Sequence, residues 1–438
     1  MSEALRIGIA GLGTVGSAVI RLFDEKADML TRQCGRPVRI VAVSARDRRR
    51  ERNINLDAFA WYDSPEELAQ STDIDVFVEL IGGEMGTAYR AVELALKAGH
   101  HVVTANKALL ARHGVELAKL AESKGLLLNF EAAVAGGIPI IKVLRESLSG
   151  STTSRIYGIL NGTCNYILTR MEEEGLSFEE CLKNAQALGY AEADPTFDIE
   201  GNDTAHKLAL LTSLAFGTII SPGDIYVEGI SNISLADIRA ADELGYRIKL
   251  LGVAVKTDTG IEQRVHPTMV PTSSVIAQVK GVTNAVAIET DLLGELLLSG
   301  AGAGGNATAS AVIGDIADIA KAHPGFQHGP VFGTPANALK PYTKAAIRAH
   351  SGGYFIRLSV YDRTGVFASL AKRMAENDIS LESIVQRPIV ETQAQGTKTI
   401  VLITHQTTEA AVRKALEAIM QDGNLIDKPQ MIRIERSS

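Results

Sequence analysis

The sequence predicts an α/β chain of several domains. It opens on a doubly wound parallel sheet, continues as an α+β unit and ends in a ferredoxin-like βαββαβ unit. Three observations carry this. Residues 1–135 alternate short apolar runs with amphipathic helical segments, the pattern of a parallel sheet covered on both faces. Residues 136–321 lose that alternation and mix longer helices with strand-like runs. Residues 350–438 read strand, helix, strand, strand, helix, strand, the βαββαβ order. At 438 residues the chain exceeds one ordinary domain.

The elements follow in order. "LRIGIA" (5–10) is a strand, and "SAVIRLFDEKADML" after it is apolar at helical spacing. "VRIVAVSA" (38–45), "IDVFVELIG" (74–82), "HVVTA" (101–105) and "LLLNFEAAV" supply four more strands. Helices are expected over "TAYRAVELALKAG" (87–99) and "GVELAKLAESKG". In the middle unit, 164–174, 177–188 and 203–216 read as helices and "RIKLLGVAV" (247–255) as a strand. "GAGAGGNATASAVIGDIADIAK" (300–321) is a glycine loop feeding a helix near 305–321, which is expected to return to the first domain and complete it. Segment 322–349, with "HPG", "HGP", "GTP" and "LKP", reads as a linker. No internal repeat or low-complexity segment stands out.

Composition excludes several function classes. Hydrophobic residues are 46% and charged residues 22%, the profile of a soluble globular protein. No apolar run reaches the length of a membrane span. "MSEALRIGIAG" lacks the basic and apolar regions of a signal peptide. A net charge of −7 argues against a general nucleic-acid binder. Cys34, Cys164 and Cys181 form an odd set without metal-ligand spacing, which fits a reducing cytoplasm. The neighbours of Cys164 offer no base to activate it as a nucleophile.

The chemistry gathers at a few motifs. Gly11, Leu12, Gly13, Thr14, Val15 and Gly16 form G-x-G-x-x-G between a strand and a helix. Its glycines allow a tight turn, close approach to a pyrophosphate and close helix–strand packing. The second strand ends "VSARDRRR", where Arg46 suits a 2′-phosphate and Asp47 a ribose. NADP is therefore favoured over NAD. "TANKALLA" (104–111) sets Lys107 beyond the fourth strand, on the ligand side of such a sheet. In "GILNGTCNYIL" (158–168), Thr163 either caps a helix or faces a ligand. "GYAEADPTFDIEGNDTAHK" (189–207) packs Glu192, Asp194, Asp198, Glu200 and Asp203 ahead of Lys207. Asp203 and Lys207 share a helix face. A single salt bridge leaves the upstream acids unexplained, whereas a ligand bearing an ammonium group explains them. A lysine so placed can move a proton at an alcohol or carbonyl. His206 points elsewhere on the helix and reads as structural.

Together, "GLGTVG", "TANKALLA", "GILNGTCNYIL" and above all "GYAEADPTFDIEGNDTAHKLALL" resemble homoserine dehydrogenase over residues 5–320. The tail "LSVYDRTGVFASLAKRMAENDISLESIVQ" resembles an ACT domain, an amino-acid-sensing module. The resemblance implies a monofunctional, ACT-bearing enzyme of threonine, methionine and isoleucine biosynthesis. It would oxidise homoserine reversibly to aspartate 4-semialdehyde with NADP or NAD. Lys207 would transfer the proton, with Asp203 beside it and Lys107 as a second cation. Glu192, Asp198 and Thr163 would contact homoserine. Leu12, Thr14, Val15, Thr104 and Gly304 would line the cofactor. "EAAVAGGIPI" matches a sodium-binding loop, implicating Glu131, Val134, Gly136 and Ile138, largely through main-chain oxygens. Ala301 departs from the proline common in the family's second glycine loop. A homodimer or homotetramer with a threonine-like effector is expected. Two other readings are a different dehydrogenase of the same architecture and a sensor with an inactive nucleotide-binding domain. The intact lysine and carboxylates weigh against the second.

Overall fold

The computed structural model describes residues 3–322, 329–345, 351–387 and 397–435. Its first sheet holds β1 (Leu5–Ala10), β2 (Val38–Ser44), β3 (Ala60–Tyr62), β4 (Val76–Glu79), β5 (His101–Thr104) and β6 (Leu128–Asn129). These pair in parallel in the order β3-β2-β1-β4-β5-β6. The helices between them are α1 (Thr14–Cys34), α2 (Pro65–Ala69), α3 (Thr87–Ala98) and α4 (Lys107–Ser123). Side chains alternate between the two faces. Ile7, Ile9, Val76 and Val78 pack on the α1 side, while Ala10, Ala42, Phe77 and Val102 pack on the α3 and α4 side. Strand order reverses between β1 and β4, so the ligand crevice lies beyond their C-terminal ends.

Two details depart from the sequence reading. β3 and α2 went unread because three and five residues are too few for a period to show. "LLLNFEAAV" is not a full strand. Only Leu128–Asn129 pairs with β5, and the chain then coils at Glu131–Ala133. There the Glu131 carboxylate turns inward to accept from the Ile141 and Lys142 amides.

The middle unit contributes β7 (Thr153–Ile159), β8 (Tyr226–Val227), β9 (Tyr246–Thr257), β10 (Gly260–Pro271), β11 (Thr283–Thr290) and β12 (Gly294–Ala301). Its helices are α5 (Ile140–Lys142), α6 (Gly162–Glu174), α7 (Phe178–Ala187), α8 (Thr196–Ile199), α9 (Asn202–Phe216), α10 (Leu235–Glu243) and α11 (Gly305–Lys321). β10 escaped the sequence reading because it buries Glu262, Gln263, Arg264 and His266 among its apolar residues, so no apolar alternation shows. α11 packs against α1 in one hydrophobic cluster, on the first sheet's face. α9 buries Leu208, Leu210, Leu211 and Leu214 between α4 and strands β7, β9 and β10. That packing carries its polar N-terminal turn to the end of the first sheet.

The C-terminal unit is β13 (Ser351–Tyr361), α12 (Val366–Ala375), β14 (Leu381–Arg387), β15 (Thr397–Thr404), β16 (Thr407–Thr408), α13 (Glu409–Gln421) and β17 (Gln430–Ile434). Its strand order, β17-β13-β15-β14, is ferredoxin-like. It does not stand apart from the middle unit. β17 pairs in parallel with β10 at Thr268–Arg433 and Met269–Ile434, giving one eleven-stranded sheet. Of the expected linker, 322–349, residues 323–328 and 346–349 lie outside the described residues, and the described stretch 329–345 is packed. Phe332 is buried with its ring 5.4 Å from Phe130, and the amides of Val331 and Ala336 donate to Glu122.

Candidate active site

The glycine loop joins β1 to α1 at the strand-order reversal. Gly11 has φ of +102°, and a Cβ there would sit 2.3 Å from the Leu80 carbonyl oxygen. A Cβ on Gly16 would sit 2.0 Å from the Gly11 oxygen, so helix and turn meet only because both lack side chains. Space around Gly13 is open. Gly13 is the N-cap of α1 and Gly304 the N-cap of α11, and neither end carries a side-chain cap. The two helix starts flank a groove of about 510 Å³ lined by Thr14, Ser17, Arg21, Gly304, Gly305 and Asn306. Free amides and aligned dipoles suit this groove to phosphate. Leu12 is buried, and Val15 packs on the cluster behind it.

At the end of β5, Thr104 is fully buried and donates its hydroxyl to Glu79 Oε2 at 2.5 Å. The Asn106 side chain caps α4 by accepting from the Leu109 amide at 3.0 Å and donates to the Gly83 carbonyl at 2.6 Å. Lys107 is the first residue of α4. Its ammonium reaches Asp203 Oδ1 at 3.1 Å. Lys207 Nζ donates to Asp203 Oδ2 and to the Leu160 carbonyl, each at 2.7 Å. Asn161 Nδ2 donates to Asp203 Oδ2 at 2.9 Å and to Asp198 Oδ1 at 2.8 Å. Asp203, 5% exposed, is the hub. Burial opposes its ionisation, but the Lys207 and Lys107 ammoniums outweigh it and hold the carboxyl well below the usual carboxylate range. Asp198 moves the other way, pushed up by burial and then by the Asp203 charge.

Three comparisons with known proteins bear on this arrangement. A homoserine dehydrogenase family model matches residues 139–317, the family's NAD-binding domain model matches 11–131, and an ACT domain model matches 354–421. The homoserine dehydrogenase of Neisseria gonorrhoeae is 45% identical, with 99% of each chain covered. The chain belongs to the homoserine dehydrogenase family. The Pseudomonas aeruginosa enzyme is 42% identical, with 95% of each chain covered. The homoserine dehydrogenase structure from Thiobacillus denitrificans superposes with a TM-score of 0.90 at 40% identity, covering 99% of this chain and 98% of that one. A hyperthermophilic archaeal homoserine dehydrogenase in complex with NADPH superposes with a TM-score of 0.62 at 29% identity, covering 72% of this chain and 97% of that one. The chain is thus an NAD(P)-dependent oxidoreductase, a homoserine dehydrogenase that carries an ACT domain. Among the described residues no helix is long and apolar enough to cross a membrane.

The acidic stretch divides once homoserine dehydrogenase chemistry frames it. Asp194 accepts from the Thr196 amide at 3.1 Å, a local turn bond. Glu200 accepts from the Ser231 hydroxyl at 2.5 Å. These two acids therefore need no ligand to account for them. Asp198 joins the lysine site, while Glu192 lies exposed on the loop above. Thr163 is not the cap of α6; Asn161 is, accepting from the Cys164 amide at 2.8 Å. The Thr163 hydroxyl instead donates to the Tyr190 carbonyl at 2.7 Å, tying the acidic loop to α6. His206 packs edge-on to Phe197, and burial and Lys107 lower its pKa.

Arg46 is exposed at the tip of β2. Asp47, the alternative ribose ligand, accepts from the Arg49 amide at 2.8 Å in a turn. The arginine that lies against the glycine loop is Arg52, which donates to the Leu12 carbonyl at 3.1 Å. In the "EAAVAGG" loop, the Glu131 carboxylate is committed to the Ile141 and Lys142 amides, at 2.8 and 3.0 Å. Burial raises its pKa. Val134, Gly136 and Ile138 are buried. The Val134 and Gly136 carbonyls accept no hydrogen bond among the described residues, while Ile138 accepts from the Ile140 amide. Those two carbonyls are left to face a small cation, whereas the Glu131 carbonyl accepts from the Val134 amide at 3.5 Å.

Sequence reasoning missed Asn161, the Leu160 carbonyl and Arg52. Asn161 had a readable signal as an N-cap residue directly before an apolar helix. The other two had none, since one is backbone and the other sits in a run of surface arginines.

Proposed function

We propose that Lys207 is the proton-transferring residue in the reversible oxidation of L-homoserine to L-aspartate 4-semialdehyde. The observation that carries this is the Asp203-centred pair of lysines, set between the end of β5 and α9. A lysine ammonium has three N–H bonds. Two of those on Lys207 are fixed, by Asp203 and by the Leu160 carbonyl, so the third has a defined direction. In oxidation the neutral amine takes the hydroxyl proton while the carbinol C–H leaves as hydride; in reduction the ammonium returns the proton. The nicotinamide cofactor supplies the hydride acceptor. Asp203 holds Lys207 in place, and Lys107 adds positive charge where an alkoxide develops. Asp198 and Glu192 would meet the substrate ammonium, with Thr163 keeping their loop in position.

The cofactor would lie with its pyrophosphate between the α1 and α11 helix starts, near Gly11–Gly16 and Gly304, and with Thr104 and Lys107 beside the nicotinamide. Arg46 favours NADP through its 2′-phosphate. A sodium ion would be held at Glu131, Val134, Gly136 and Ile138 by main-chain oxygens. The residues divide most simply into nucleotide-binding (1–135, with 305–321), catalytic (136–321) and ACT (350–438) regions. Three free buried cysteines fit a cytoplasmic enzyme.

Regulation through the ACT region, by threonine or a related end product of threonine, methionine and isoleucine biosynthesis, has a physical route. On β17, Arg433 reaches Glu228 at 3.4 Å. Next along the chain, Gly229 packs so closely on α8 that a Cβ would sit 2.3 Å from the Ile199 oxygen. Ile230 donates to Ile199 at 2.8 Å, and Ser231 holds Glu200. Displacement of the ACT strands would therefore reach the helix bearing Asp198. A dimer or tetramer would provide shared effector sites.

The test is Lys207→Ala. Turnover should fall by roughly a hundredfold or more, with NADPH affinity nearly unchanged. Normal turnover would reject the assignment.

A further inference from the structure

We propose that Asn161 is a positioning residue that clips the substrate-binding and proton-transfer carboxylates together and fixes the directions in which Asp198 and Lys207 act. The orientation of its amide is not arbitrary. Oδ1 faces the Cys164 amide at 2.8 Å, a group that can only donate. Nδ2 must then face Asp198 Oδ1 at 2.8 Å and Asp203 Oδ2 at 2.9 Å, groups that can accept. Both amide protons are used, and they go to two different carboxylates. Carboxylates this close repel each other, and a neutral double donor between them offsets that repulsion without adding charge.

Two consequences follow for the chemistry. Asp198 has Oδ1 taken by Asn161, and Oδ2 accepts no hydrogen bond among the described residues, so a ligand ammonium meets a fixed oxygen. Asp203 Oδ2 receives both Asn161 and Lys207, and Oδ1 faces Lys107. The carboxylate therefore cannot rotate away from the lysine. The preceding residue, Leu160, supplies the carbonyl that takes the second Lys207 proton at 2.7 Å. The Leu160–Asn161 dipeptide thus holds the lysine by its backbone and both carboxylates by its side chain. All of this hangs on the first turn of α6, whose N-cap is Asn161 itself.

The inference rests on proton transfer by Lys207, and the experiment separates the two. Asn161→Ser and Asn161→Asp both retain a capping oxygen, so α6 keeps its start while the amide donors are lost. In Asn161→Ser, kcat/KM for homoserine should fall at least tenfold, with a rise in KM as Asp198 loses its anchor. In Asn161→Asp, a third carboxylate holds protons on its neighbours, so the rising limb of the kcat/KM–pH profile for oxidation should move about one unit to higher pH. A double-mutant cycle of Asn161→Ser with Asp198→Asn should be non-additive in kcat/KM. A purely structural role would lower the melting temperature and give additive effects with an unmoved pH profile. That result overturns the proposal even where Lys207→Ala is inactive. Wild-type turnover in Lys207→Ala would instead overturn the assignment beneath it.

Discussion

Asp203→Asn keeps the shape of the hub and removes its charge, and the cost can be worked from the contacts. The carboxylate lies 2.7 Å from Lys207 and 3.1 Å from Lys107 while only 5% exposed. Removing one partner of a buried ion pair costs about 3–5 kcal/mol. The Lys107 side chain is 31% exposed and can turn to solvent, so its share is screened. The Lys207 side chain is 12% exposed and anchored to Leu160, so it cannot escape as easily. The lower end, ~3 kcal/mol, is therefore expected. At about 2–4 °C per kcal/mol for a domain of this size, melting should fall by roughly 6–12 °C near pH 7.5. The pH dependence has a definite sign. The folded carboxyl titrates below its unfolded value of about 3.9. Its contribution is therefore complete well above that value and is lost as pH falls toward the folded pKa. Differential scanning fluorimetry of both proteins should show a constant gap from pH 6 to 8 that narrows below about pH 4. Equal melting at pH 7.5, or a gap that widens on acidification, would refute the reasoning.

Further outcomes are expected. Arg46→Ala should raise KM for NADP while leaving NAD little changed in a homoserine assay, because the side chain stands exposed at the tip of β2; equal effects on both cofactors would return the 2′-phosphate to another arginine, with Arg52 first in line. Lys249 is buried against the Val279 carbonyl and the Asn165 side chain, and burial lowers it to about 8. The unfolded chain then binds the extra proton between about pH 8 and 10.4, so stability should rise across that window; melting of wild type and Lys249→Met at pH 7.5 and 9.5 checks this, and only wild type should show the rise. Millimolar threonine should inhibit the intact chain, and Ser231→Ala, which releases Glu200, should weaken that inhibition; insensitivity of the intact chain would leave the C-terminal unit an assembly role. Truncation before residue 350 should do more than desensitise. It unpairs β10 from β17 and strips Arg357 from the fully buried Asp237, so melting should fall sharply at pH 7.5.

The sequence alone determined the parts whose physics is local. Apolar period and the glycine spacing of residues 11–16 specify a strand, a tight turn and a helix whatever surrounds them. The βαββαβ order at the C-terminus was legible because each element is amphipathic and bounded by turn formers. Asp203 and Lys207 were legible as a pair because four residues make one helical turn. Only tertiary structure brought Lys107 to Asp203 across about a hundred residues of chain, because α4 and α9 pack on each other. Only tertiary structure separated Asp198 from Glu200, since the Glu200 partner Ser231 lies 31 residues further on, in the turn before α10. The joining of β17 to β10 was invisible for the same reason. Backbone pairing between distant strands leaves no period in the sequence, and the buried charges of β10 hide the strand itself. Residue type and local spacing fix which groups can do chemistry; helix packing and sheet pairing decide which of them meet.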